Sequence, residues 1–277
     1  MSYLGTTQTL FVKEVSNEGA YLDGHDLGEV FLPKQEIKHE LEAGDSISVF
    51  IFLDNANLAT ATIKKPHAQV GEYALLRVKE INSIGAFLDW GLEKDVLAPF
   101  NEQKPRMQEG HSYLVRLYLD NASQRICASN NFNRFLSKDE PQYTHLQEVD
   151  LIVAGKTDIG YKVLIEESHF GVVFYNMVFK SLFVGQKLKG YMQKVRDDGK
   201  IDVVLEKPGM GKVSDLGETI MQKLKNEGGV IPLGDKSDPE AIKKMFSTSK
   251  ANYKKAIGGL FKQELIDIEA KSIRLRS

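Results

Sequence analysis

Cysteine is almost missing from this chain of 277 residues: Cys127 is the only one. A single thiol closes no internal disulfide, which points to a reducing compartment. Tryptophan is also single, at Trp90, and prolines number 8. There is no run of 18 apolar residues, so no membrane-spanning helix is expected. Met1 to Phe11 lacks a basic start and an apolar stretch, so no secretory leader is expected and a cytoplasmic setting is. The histidines, at 25, 39, 67, 111, 145 and 169, stand at least 14 residues apart and offer no local zinc constellation. Ala154-Gly155-Lys156-Thr157 looks like the end of a phosphate loop, but Asp150 occupies the place of its first glycine. No serine or cysteine nucleophile motif occurs. An enzyme is therefore not expected, and neither a metal nor a cofactor is called for.

A dominant charge is missing as well. The net charge is −2, but the average hides a gradient. Residues 1–65 carry 5 basic and 10 acidic side chains, whereas residues 212–277 carry 13 and 9. A polyanion would favour the C-terminal end and avoid the N-terminal one.

What the chain does contain is repetition. A shift of 66 residues aligns 5–62 with 71–128 without a gap, with 20 identical pairs over 58 positions. Gly19-Ala20-Tyr21-Leu22-Asp23 falls on Gly85-Ala86-Phe87-Leu88-Asp89, and Leu53-Asp54-Asn55-Ala56 falls on Leu119-Asp120-Asn121-Ala122. The alternation reads as a β-strand, with Ala86 and Leu88 on one face and Phe87 and Asp89 on the other. An aromatic ring thus shares the wet face with a carboxylate, where it can stack a nucleobase. Paired glycines and Asp-Asn sites mark turns between about five short strands per copy, a length suited to a small closed barrel. A third, weaker copy follows, with Gly160 and Gly185 matching Gly85 and Gly110. The stretch Asn130 to Gln147 reads as a polar, helical or irregular connector.

These motifs resemble the S-one RNA-binding repeat of ribosomal small-subunit proteins, which implies five-stranded OB barrels. Three such repeats before a small helical unit resemble the conserved virulence factor B family of bacteria. The expected fold is mainly β with a small α+β C-terminal domain. Its expected modules are barrels at 1–64, 66–132 and 146–207 and a winged helix-turn-helix at 212–277.

In the first repeat Leu10, Val12, Val30 and Leu32 should face inward, leaving Phe11, Tyr21 and Phe31 on one outer surface. The second repeat offers Arg77, Phe87 and Leu97 at the same places, with Trp90 just beyond the strand. Similarity to the S-one repeat adds Asp120 and Arg125 at the last turn. The third repeat puts Lys162 where the ring should be. The second repeat has the fullest set, and the acidic first one opposes phosphates.

After a Lys207–Lys212 linker the period changes. Leu216, Ile220 and Leu224 share a helix face ending at Gly228-Gly229. Val230 to Leu233 reads as a strand. Asp238-Pro239 opens a second helix, and Ser249 caps a third bearing Tyr253, Ile257, Leu260 and Phe261. Two short strands then flank Glu269-Ala270-Lys271. That order matches a winged helix, whose third helix carries Lys250, Lys254, Lys255 and Lys262 and whose wing carries Lys271, Arg274 and Arg276. The leading expectation is a non-catalytic RNA-binding protein that takes single-stranded RNA on its barrels, with regulation of gene expression after transcription implied by the resemblance. The alternatives are a DNA-binding regulator led by the winged helix, and an adaptor that binds ribosome or RNA-decay proteins through its acidic first barrel. No membrane partner is expected.

Overall fold

A computed structural model of the chain describes residues 3–178, 181–196, 198–205 and 215–276; the expected 207–212 linker lies outside them. Met1–Gln142, Val149–Lys189 and Val195–Asp202 form one compact unit, and Tyr143–Glu148, Gly190–Lys194 and Val203–Ser277 form a second.

Three closed five-stranded barrels follow one another, as the repeats require. The first holds β1 (Thr7–Val15), β2 (Gly19–Asp23), β3 (Glu29–Pro33), β4 (Ser46–Leu53) and β5 (Ala59–Thr62). The second holds β6 (Tyr73–Ile81), β7 (Gly85–Asp89), β8 (Val96–Pro99), β9 (Ser112–Leu119) and β10 (Ile126–Ser129). The third holds β11 (Glu148–Lys156), β12 (Gly160–Ile165), β13 (His169–Phe174), β14 (Lys187–Val195) and β15 (Ile201–Val204). In each barrel the third strand pairs in parallel with the fifth, and the fourth returns to close on the first.

The glycine that opens each second strand has a steric cause. A Cβ on Gly19 would lie 2.2 Å from the Leu32 carbonyl oxygen, on Gly85 2.3 Å from that of Ala98, and on Gly160 2.3 Å from that of Val173. Only a residue without Cβ lets the third strand approach so closely. A bulge recurs at one place in each first strand, between Val12 and Glu14, Val78 and Glu80, and Val153 and Gly155. It coils the strand so that five strands can close. The expected inward residues Leu10, Val12, Ala20, Leu22, Val30 and Leu32 are all buried, and so are Ala86 and Leu88.

The first two barrels share a boundary. Val70 N–H donates to the Gly5 carbonyl at 2.9 Å, and Lys94 Nζ donates to the carbonyls of Leu53 at 3.2 Å and Asp54 at 2.8 Å. The connector after β10 is irregular, with one short helical turn at Phe132–Arg134. Phe132 and Leu136 pack it onto a cluster of Tyr73, Leu114, Ile152 and Leu164 that joins the second barrel to the third.

The C-terminal domain has helices α1 (Asp215–Asn226), α2 (Pro239–Phe246) and α3 (Lys250–Lys262) with strands β16 (Val230–Ile231), β17 (Ile266–Ile268) and β18 (Ile273–Leu275) in the order β16-β18-β17. The Asp238 carboxylate accepts from Glu240 and Ala241 N–H, and Ser249 Oγ accepts from Asn252 N–H, as the caps predict. Ile220, Leu224, Tyr253, Ile257 and Leu260 form the core. Phe261 does not join them; its ring is 45% exposed, because the α3 face it occupies is turned from that core.

Candidate nucleic-acid interface

The second barrel brings a cation and apolar groups together on its outer wall. Register pairs Phe87 with Leu97 across β7 and β8, and Arg77 with Asp89 across β6 and β7. Phe87 and Leu97 are half-buried and Arg77 is exposed. Arg77 Nε donates to the Gly110 carbonyl at 3.2 Å, which holds the guanidinium against the barrel. Among the described residues no carboxylate lies within ion-pair reach of it. Asp89 instead faces Lys79, whose ammonium stands 3.8 Å from it and 2.9 Å from Asp95. The hydrogen bond to Asp95 raises the Lys79 pKa above its ordinary value.

Asp120 serves its own turn. Its carboxylate accepts from Ser123 N–H at 2.9 Å and Ser123 Oγ–H at 2.7 Å, and these bonds hold its pKa below the usual carboxylate range. The Asp120 N–H donates to the Arg125 carbonyl at 2.8 Å, and the Arg125 side chain is left exposed on the far arm of that turn.

Trp90, expected beside this face, is only 3% exposed. Its indole Nε1–H donates to the Lys94 carbonyl at 2.5 Å, and its ring meets Phe50 of the first barrel edge to face at 5.5 Å. A large ring just past a strand end gains more from burial between two barrels than from water. It is therefore core, not a stacking surface. The aligned residue in the first repeat is Gly24, a mismatch that marks the position as special without giving its direction.

In the first barrel Phe11 is 59% exposed, and Tyr21 and Phe31 are half-buried. The Tyr21 and Phe31 rings stand 5.3 Å apart, tilted by 49°. Carboxylates border them: Asp23 pairs with Glu29 in register, Asp23 accepts from His25 N–H at 3.0 Å, and Glu29 is ion-paired with Lys13 at 3.0 Å. The third barrel departs further. The Lys162 ammonium is folded over the Phe170 ring at 3.5 Å from its centroid, and burial lowers its pKa. Leu164, on the same face, is fully buried in the cluster with Tyr73 and Leu114 of the second barrel. Lys162 is thus a packed cation beside a covered wall rather than a free backbone contact.

The winged helix spends part of its positive charge internally. Lys254 Nζ pairs with Asp235 at 2.7 Å, Arg276 with Asp267 at 2.7 Å, and Arg274 approaches Glu269 at 4.0 Å. Arg276 also lies 5.4 Å from the centroid of the exposed Phe261 ring. Lys255, Lys262 and Lys271 are exposed on α3 and the wing, and Lys250 is half-buried at the helix start.

Comparison with known proteins agrees with this architecture. The S1 domain family matches residues 4–64 and 70–129, and the CvfB-like winged helix domain family matches residues 218–275. A relative from Staphylococcus haemolyticus (strain JCSC1435), "Conserved virulence factor B", is 28% identical over 96% of this chain and 92% of its own. One of the same name from Staphylococcus aureus (strain bovine RF122 / ET3-1) is 27% identical over 98% of this chain and 94% of its own. Along nearly its whole length this chain is similar to proteins of the conserved virulence factor B family. A solved structure of a multidomain protein with nucleic acid binding domains from Streptococcus pneumoniae TIGR4 covers 100% of this chain and 99% of its own, at 23% identity and a TM-score of 0.42. The third barrel shares the strand order of the others but lies outside both family matches.

One feature of this chain escaped the sequence reading. Arg116 lies over the rings of Tyr73 at 5.2 Å and Phe135 at 5.0 Å, and Arg134 over Tyr118 at 4.5 Å and Phe135 at 5.0 Å. Arg134 is also ion-paired with the buried Glu102. This ladder clamps the connector onto the second barrel. Burial beneath it pushes the Cys127 thiol up to about 11, so the sulfur stays protonated and unreactive at neutral pH. The sequence signal was the pair Phe132 and Phe135 inside an otherwise polar connector.

Proposed function

We propose that this chain is a non-catalytic, cytoplasmic RNA-binding protein that regulates gene expression after transcription. Single-stranded RNA lies along the outer wall of the second barrel, and the basic winged helix adds affinity. The observation that carries this reading is the exposed Arg77, without an ion-pair partner among the described residues, on the wall that also bears Phe87 and Leu97. A ring and an apolar neighbour offer a flat surface to an unpaired base, and the guanidinium attracts its phosphate. Arg125 adds a second cation at the barrel rim, placed by the Asp120 turn. The first barrel contributes Phe11, Tyr21 and Phe31 more weakly, because its net charge of −5 over residues 1–65 repels phosphate. The modules are 1–64, 66–132, 146–207 and 212–277, and several weak sites on one chain gain through effective concentration. The reading needs no cofactor. The staphylococcal relatives are named as virulence factors. Both domain types serve nucleic-acid recognition, and the rings favour single strands over duplex DNA.

Titration of labelled single-stranded RNA at two salt concentrations tests this. Affinity should fall as salt rises, and fall further when Arg77→Ala and Phe87→Ala are combined. Binding that ignores salt, or survives the double substitution, refutes the reading.

A further inference from the structure

The outer wall of the second barrel does not end at Arg77. Two residues back along β6, on the same face, Leu75 is 45% exposed. Leu75 meets the third barrel: a Cβ built on Gly185 would lie 3.0 Å from Leu75 Cβ. Gly185, at φ +85°, belongs to a tight turn. The turn is closed by Gln186 N–H donating to the Phe183 carbonyl at 3.1 Å and by Phe183 N–H donating to Gln186 Oε1 at 3.2 Å. It is anchored by the buried Leu182 before it and, from within, by Gly185 N–H donating to the Val153 carbonyl at 2.8 Å. Behind the turn, Tyr73 and Leu114 of one barrel pack against Ile152 and Leu164 of the other. The turn is therefore fixed on the rim of a closed seam.

Phe183 leads that turn. At 66% exposure it is the most exposed large apolar side chain among the described residues. The ring gains little from burial where it stands, yet its backbone is held in the turn that seats Gly185 against the exposed Leu75. An exposed ring on a fixed turn suits a stacked base, because little backbone ordering entropy remains to be lost on binding.

We propose that the seam between the second and third barrels is a further single-stranded RNA contact, with Phe183 as the stacking platform and Leu75 as the apolar step between it and Arg77. This rests on the RNA reading above and adds that one strand crosses from the second barrel onto the third. Two features select the occupant. Arg77 sits between Leu75 and the Phe87 strand, so the seam continues the same wall. The ring also needs a face that only an unstacked base presents.

The test uses the full chain and two labelled single-stranded RNAs, of about 16 and about 4 nucleotides. Phe183→Ala should weaken the longer RNA about tenfold and leave the shorter one unchanged, while Phe183→Tyr should restore affinity. Phe183→Trp adds a second, exposed indole to a chain whose native tryptophan is buried. Emission of that added indole should be quenched by the longer RNA. These positions face solvent, so thermal unfolding should match the parent in each variant. If Phe183→Ala and Leu75→Ala both leave long-RNA affinity within about twofold while Phe87→Ala weakens it, the seam proposal is overturned and the RNA reading stands. An added indole that long RNA does not quench, or that duplex RNA quenches equally, overturns it too. If Arg77→Ala with Phe87→Ala is also without effect, both readings fall.

Discussion

Phe50 of the first barrel and Trp90 of the second meet edge to face, with ring centroids 5.5 Å apart and planes at 81°. Together with the Lys94 bonds to Leu53 and Asp54, this contact joins two modules that sequence alignment treats as separate. Burial lowers the Lys94 pKa, yet the two carbonyls receive its ammonium.

Trp90→Ala should therefore act on stability rather than on recognition. Removing a buried aromatic typically costs about 3–5 kcal/mol. Thermal unfolding should shift sharply downward. Trp90→Phe, which keeps the ring contact, should hold RNA affinity near the parent value in a direct titration. A selective loss of RNA binding by a stably folded Trp90→Phe would contradict the assignment of this residue to the core.

Gly85→Ala tests the steric origin of the repeated motif. The added Cβ would stand 2.3 Å from the Ala98 carbonyl oxygen, so β7 and β8 must part. Overpacking of this kind costs about 1–3 kcal/mol, readable as a lower urea midpoint. Gly44→Ala is a useful contrast, because a Cβ there meets nothing within 4 Å and its cost comes from the φ of +97° alone.

The two ring faces should differ in strength. Phe87→Ala should weaken single-stranded RNA binding more than Tyr21→Ala, by about 1 kcal/mol or more if the acidic border of the first barrel opposes phosphate. Arg77→Ala should also lower the slope of log affinity against log salt by about 1, which a lost apolar contact would not do.

Asp235 offers a pH test in the winged helix. The Lys254 ammonium beside it, at 2.7 Å, holds its carboxyl below the usual carboxylate range. A depressed folded pKa means that the pair stabilises the domain above the unfolded value, near about 3.9, and that this contribution fades as pH falls through the folded value. Asp235→Asn should flatten that acid limb in a denaturation series below about pH 4. The same substitution releases Lys254, so nucleic-acid affinity at neutral pH and low salt should rise, with the gain shrinking as salt is added. An unchanged affinity would place Lys254 outside the contact surface.

Strand positions, inward residues and the winged-helix caps were legible in the sequence because they depend on neighbours along the chain. A two-residue period set which side of β2 and β7 faced the core, and the Gly19, Gly85 and Gly160 positions marked where strands come closest. Nothing local could tell which outward side chains another module would cover. Tertiary packing moved Trp90 into the core and folded Lys162 over Phe170. It buried Leu164 at the seam and left Phe183 in water. It also tied Lys254, Arg274 and Arg276 to acids of the same domain. Alternation decides which face of a barrel a side chain occupies, whereas its exposure is settled by contacts with other strands, turns and modules, some of them tens of residues away, as Phe50 is from Trp90.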